Sequence, residues 1–179
     1  MSSTPVPTHT RTFDLPFHWP DAPLHVVLVE PEIPPNTGNI ARLCAATGSP
    51  LHLVEPLGFR LTDGAMKRAG LDYWDRVDLH RHRDWDAFIE SVDPARFFLF
   101  STAGRRSLYD QTFAPGDCLV FGSETRGLPD ALLARWPDRV VGVPMRPGGV
   151  RSLNLANTVA IALYEGLRQQ QRPKGPGPA

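Results

Sequence analysis

The chain has 179 residues, with 19 acidic against 19 basic side chains and a formal net charge of zero. That length points to one domain, and the neutral balance excludes a bulk electrostatic grip on a polyanion, so any nucleic acid must be met by a local patch. No apolar run reaches the roughly 18 residues of a membrane span. Cys44 and Cys118 are too few for a disulfide framework and form no pattern for a metal, so a reducing cytoplasm is the expected setting. Lys67 and Lys174 are the only lysines among the basic residues. Genome base composition accounts for such a bias, and so does bidentate phosphate recognition, which favours arginine.

In chain order, residues 1–22 are proline-rich, lack a basic-then-apolar signal pattern and are expected to form a flexible leader. LHVVLVE (24–30), LHLVE (51–55), RFFLFS (96–101), DCLVFG (117–122) and RVVGVP (139–144) read as strands, with VDLH (77–80) a weaker sixth. They are apolar at consecutive positions, which suits parallel strands buried on both faces. Between them, NTGNIARLCAATG places Ile40, Leu43, Cys44 and Thr47 on one helical stripe, ended by Gly48. WDAFIESV (85–92) and LPDALLARW (128–136) read as short amphipathic helices. A final helix over about 152–169 is apolar nearly all round and so needs two partners, the core and a second surface. The alternation predicts an α/β fold, a mostly parallel sheet with helices on both faces, in one domain over 23–170, followed by a disordered tail over 171–179.

Ligands bind such sheets beyond the carboxyl ends of the strands. The segments expected there are EPEIPPNTGN, EPLGF, STAGRR, GSETRG and PMRPGGVRS. Three of them carry candidate chemistry. Asn36, Asn39 and Arg42 follow one another at helical spacing, as a polar binding face or as a helix cap with a solvated flank. In FGSETRGLP, Gly122 would let a ligand approach the backbone between Glu124 and Arg126, or simply serve a tight turn. Ser123 is no nucleophile elbow, because no histidine lies on a strand-end loop to act as its base. In VPMRPGGVRSLNLANTVAIALYE, Ser152 reads as a helix cap. Asn154 and Asn157 read as amides on a buried helix, where each would need a bonding partner.

These three stretches, in this order, resemble the motifs of the SPOUT superfamily of RNA methyltransferases. They look most like the small tRNA (cytidine/uridine-34 2′-O)-methyltransferases that act on the wobble nucleotide. The likeness covers Leu24 to about Gln170, including LDYWDRV (71–77), and departs at the leader and by one residue at PGGVRS. It implies a C-terminal trefoil knot, a homodimer through the last helix, and S-adenosyl-L-methionine as cofactor with no metal. The implied cofactor contacts are Phe100, Ser101, Thr102, Gly122, Val143, Ser152 and Leu153. The implied reaction is methylation of the ribose 2′-hydroxyl at position 34, cytidine or 5-carboxymethylaminomethyluridine, in the anticodon stem-loop of tRNA. Arg42 matches an arginine proposed in related families to activate that hydroxyl, and Asn36 is expected to act beside it in catalysis. A guanidinium stays protonated and has no free lone pair, so Arg42 is expected to orient phosphate and stabilise charge, with Asn36 holding Arg42 or the substrate. Tyr164 matches a tyrosine tied to tRNA binding in the family, and Asn39, Glu124, Arg126 and Arg151 are expected on the substrate side. Arg60, Lys67, Arg68, Arg105, Arg106 and Arg146 are further candidates for phosphate. Another tRNA position, ribosomal RNA, or a non-catalytic RNA-binding role on the same scaffold are the competing readings.

Overall fold

The computed structural model describes residues 15–60, 76–92 and 96–171. Lys67, Arg68, most of LDYWDRV, the start of the leader and the tail from residue 172 lie outside the described residues.

Strands β1 (His25–Val29), β2 (Leu51–Val54), β3 (Leu79–His82), β4 (Phe97–Phe100), β5 (Arg106–Ser107), β6 (Cys118–Phe121) and β7 (Val140–Gly142) form one sheet in the order β3-β2-β1-β6-β4-β7-β5. Every pairing between these strands is parallel. Among the described residues the α-helices are α1 (Pro34–Thr47), α2 (Trp85–Val92), α3 (Asp130–Arg135) and α4 (Leu155–Gln169).

The consecutive apolar runs divide between two cores because side chains alternate across a strand. Val26 and Leu28 of β1 face Ile40, Ala41 and Cys44 of α1 and Val159, Ala162, Leu163 and Leu167 of α4. Val27 and Val29 face the other way, toward Phe88 of α2 and Leu132 of α3. Helices therefore cover both faces, as the pattern predicts.

β7 lies between β4 and β5, which are consecutive in the chain and joined only by residues 101–105. That link straps across β7. Ser101 N–H donates to Val141 O (3.0 Å), and Gly104 N–H closes a turn on Ser101 O (3.0 Å). A Cβ at Gly104 would overlap the backbone of Val141 and Gly142, so the crossing requires glycine there.

Several sequence expectations need correction. β3 (Leu79–His82) is shifted two residues toward the C-terminus of VDLH, so the strand includes His82 as well as His80. β5 carries no apolar run and was not expected; it exists because β7 offers it an edge. α1 begins at Pro34, where two prolines lose no helical hydrogen bond, so Asn36 lies inside its first turn. α4 begins at Leu155 with Asn154, not Ser152, as its N-cap. Part of the expected flexible leader is docked: Phe17 packs on the core, and the Gln171 side chain pairs with both backbone groups of His18 (3.0 and 2.9 Å).

Candidate active site

The N-termini of α1 and α4 and the loop after β6 meet through a chain of polar side chains. Asn154 accepts N–H bonds from Ala156 (2.9 Å) and Asn157 (3.3 Å) through Oδ1, the role of an N-cap. Its Nδ2 must then donate, and it donates to Asn36 Oδ1 (3.0 Å). Asn36 Nδ2 in turn donates to Glu124 Oε1 (3.0 Å). Glu124 also accepts from the backbone N–H of Glu32 (2.8 Å) and Ile33 (3.3 Å). Ile33 is the N-cap of α1 and has no capping side chain, so the carboxylate of a distant loop does that work, where a helix favours negative charge. The order of donors and acceptors is fixed at every step, so both amides have one permitted orientation.

The loop carrying Glu124 is itself held. Gly127 is left-handed (φ 71°). Ser123 and Gly127 exchange two backbone hydrogen bonds (3.2 and 2.9 Å). A Cβ at Gly122 would overlap Gly127 and Leu128, so the space beside Gly122 is filled by the chain's own backbone rather than left open to a ligand. Thr125 donates to Glu32 through its N–H (3.2 Å) and its hydroxyl (2.6 Å). Arg126 pairs with Glu30 (3.1 Å) and Glu32 (3.7 Å). Glu124 and Arg126, expected on the substrate side, are thus tied to the segment that starts α1.

This knot of polar contacts fixes two walls of a groove of about 600 Å³. Asn39, Arg42 and Ala46 of α1 line one wall, and Asn157 and Ala160 of α4 line the other, with Asn36 and Asn154 at one end. Asn39 and Arg42 are exposed into it, one turn apart. Asn154 and Asn157 are exposed too, which corrects the expectation of buried amides. Ile161 and Tyr164 continue the exposed side of α4, with Tyr164 half exposed.

A second cavity of about 330 Å³ opens beyond the ends of β4 and β7. Thr102, Gly104 and Arg105 of the strap line it together with Gly142, Val143 and Met145. Of the expected cofactor contacts, Thr102 and Val143 come together here. Phe100 is buried behind the rim, stacked on Phe121 with centroids 4.7 Å apart. Ser101 is used in the strap, its Oγ accepting from Ala103 N–H (3.2 Å). Ser152, Leu153 and Arg151 are exposed on the loop before α4 and are not among the residues lining this cavity. Sequence reasoning missed Asn154 as the link between motifs and Gly104 as the crossing point. The first was visible only as an amide at a helix start, the second only as one glycine in STAGRR.

Among the described residues no cluster of His, Cys, Asp and Glu could hold a metal ion, and no helix is long and apolar enough to cross a membrane.

Residues 23–164 match the SpoU rRNA Methylase family. The chain belongs to that family. It is 60% identical over 148 residues to the tRNA (cytidine(34)-2'-O)-methyltransferase of Burkholderia pseudomallei (strain 1106a), covering 81% of this chain and 94% of the relative. It is 47% identical to the protein of the same name from Escherichia coli (strain K12), covering 84% and 96%. A solved structure described as giving insights into the 2-OH methylation of C/U34 on tRNA superposes with a TM-score of 0.77 at 53% identity, over 83% of this chain and 96% of that one. An AdoMet-bound rRNA methyltransferase from Sinorhizobium meliloti superposes at 0.73 with 25% identity, over 86% and 59%.

SpoU methylases depend on S-adenosylmethionine. The second cavity suits that group. Val143, Pro144 and Met145 give it apolar lining, and Thr102 and Ser107 give it hydroxyls.

Proposed function

We propose that this chain transfers a methyl group from S-adenosylmethionine to the ribose 2′-hydroxyl of nucleotide 34 of tRNA. The observation that carries the reading is the groove in which Arg42 and Asn39 are presented by a helix whose start is locked to both other motifs through Asn36. The names of the 60% and 47% identical relatives support the target. The bound cofactor supplies an activated methyl on a sulfonium. The protein's share is alignment and exclusion of water, since the displacement is in-line and needs no nucleophilic side chain. Arg42 orients the phosphate beside the acceptor ribose and stabilises the oxygen as charge develops on it. The hydroxyl proton leaves to water. Asn36 positions Arg42 by fixing the first turn of α1 rather than by touching the substrate.

The reading includes a homodimer. Ile161 and Tyr164 leave an apolar strip exposed on α4 beside the groove, and a second copy covers it and extends the RNA-binding surface. Light scattering at micromolar concentration should give twice the chain mass, and Ile161→Asp should shift it toward the monomer. A monomeric wild-type protein would remove the dimer from the proposal. The fold reading extends to a threaded chain, supported by the strap over β7, and the working compartment is the cytoplasm.

The deciding experiment incubates the protein with labelled S-adenosylmethionine and unmodified or cellular tRNA, then maps the product by nuclease digestion and mass spectrometry. A 2′-O-methyl group at nucleotide 34 is expected. Label on ribosomal RNA alone would move the target to that RNA. Cofactor binding with no label on any RNA would overturn the enzymatic reading.

A further inference from the structure

Three histidines form a hydrogen-bonded line across the edge of the sheet, on the face covered by α2. His25 Nδ1 meets His52 Nε2 at 2.9 Å, and His52 Nδ1 meets His82 Nε2 at 3.0 Å. His82 Nδ1 meets Ser91 Oγ of α2 at 3.2 Å, and that hydroxyl also reaches Phe88 O at 3.1 Å. The line thus runs from β1 through β2 to the edge strand β3 and on to the helix. His52 and His82 are buried, whereas His25 is half-buried.

Counting hydrogens decides what this line can hold. Each contact between rings accommodates one N–H, and each outer nitrogen, His25 Nε2 and His82 Nδ1, accommodates one more. The maximum is about four hydrogens on the three rings, against three in the neutral state. The neutral line is satisfied when all three rings share one tautomer. One added proton fits at an end. A second must put two N–H groups nose to nose across about 3 Å, which breaks a buried contact. The surroundings oppose charging as well. His80 stacks on His52 with centroids 4.8 Å apart, and its charge works against protons on all three rings. Asp78, paired with His80, favours a proton at His25. α2 contributes Phe88 and Ser91 and no charge. Asp117, bonded to His25 through backbone, keeps its carboxylate on Ala114 N–H and Arg96. Burial pushes His52 down to about 3, and lowers His25 and His82.

We propose that the His25–His52–His82 line is an acid-sensitive latch that holds β3 and α2 on the sheet and releases them when a second proton must enter. Glu55 N–H donates to His82 O (2.9 Å), so release also loosens the loop after β2 at the rim of the sheet. The sign follows from linkage. Opening of residues 79–92 frees His82 and uncovers the His25–His52 contact, so the open state takes up to three protons below about pH 6.5 and the closed line takes one. Opening therefore grows by up to about two powers of ten per pH unit as pH falls below that value.

Hydrogen exchange on the full chain, read by mass spectrometry at pH 7.5, 6.5 and 5.5 and corrected for intrinsic rates, tests this. Opening of residues 79–92 should rise up to about a hundredfold per unit below pH 6.5, before β6 begins to open. His25→Phe leaves two rings and one excess proton, so the dependence should fall to about tenfold per unit. His25→Asn should do the same and replaces that variant if it does not fold. Equal pH dependence in wild type and variant, no dependence at all, or simultaneous opening of β6 would each overturn the latch. Nitrogen-15 shifts of the imidazoles at pH 7.5 should show one shared tautomer, and a mixture across the three rings would also overturn it.

Discussion

The two helical layers cover the same sheet by different means. On one face, α2 and α3 pack on aromatic rings, and the histidine line adds a directional link from β3 to α2 at Ser91. Trp85 packs on Phe88, Phe97 and Trp136 with centroids 5.2–5.8 Å apart, and the Arg135 guanidinium lies 4.3 Å above Trp136. On the other face, α1 and α4 share an apolar base, but their starts are joined by Glu124, Asn36 and Asn154. Apolar packing is non-directional and tolerates small shifts, whereas an amide with one permitted orientation does not. The polar join lies where two helices must present Asn39, Arg42 and Asn157 to one groove. The difference teaches that the costlier, directional contacts sit where position matters most.

Four substitutions, with Leu132→Ala and Ser152→Ala as controls, test that contrast, from the largest effect to the smallest. Gly104→Ala strikes the strap on which both faces depend. Its Cβ has only backbone to displace, so a loss of about 3 kcal/mol or more is expected, read as a fall in the urea midpoint or as failure to fold. Arg42→Ala should leave stability and cofactor affinity nearly unchanged while cutting single-turnover methyl transfer roughly a hundred- to a thousandfold. Equal loss of cofactor binding by calorimetry would show that Arg42 serves the other side of the site. Asn36→Ala removes one partner each from the Glu124 carboxylate and the Asn154 amide, for about 1–3 kcal/mol in the denaturation midpoint. It should also slow methyl transfer with cofactor affinity retained. If Leu132→Ala on the opposite layer slowed transfer as much at equal loss of stability, the directional account would fail. Asn154→Ala removes a cap and one link, for about 1 kcal/mol. Ser152→Ala should cost measurably less, because Asn154, not Ser152, caps α4.

Much of this was legible beforehand. The strands from Leu24, Leu51, Arg96, Asp117 and Arg139 stand out because burial on both faces forces unbroken apolar runs. Helix α2 agrees with the expected segment at both ends. The polar motif residues were visible because helix-period spacing put Asn39 and Arg42 on the flank opposite the core. Ser152 was misread as a cap because serine and asparagine both suit that position, and only the path of the backbone chooses between them. The two-residue strand β5 was invisible because it has no hydrophobic signature of its own. The line of His25, His52 and His82 was not legible, because its members are 27 and 30 residues apart in sequence.

The sequence by itself determined the α/β class, the sheet's buried strands, the helices on either side and the three polar segments that meet at the candidate site. Those follow from local periodicity, turn residues and hydrophobicity, which act over a few positions at a time. Only the tertiary structure decided that Glu124 caps a helix 91 residues before it, that Asn36 is a bridge, and that Gly104 must lack a side chain. Such roles depend on which distant backbone arrives within about 3 Å, and hydrogen-bond direction has meaning only once both partners are in place.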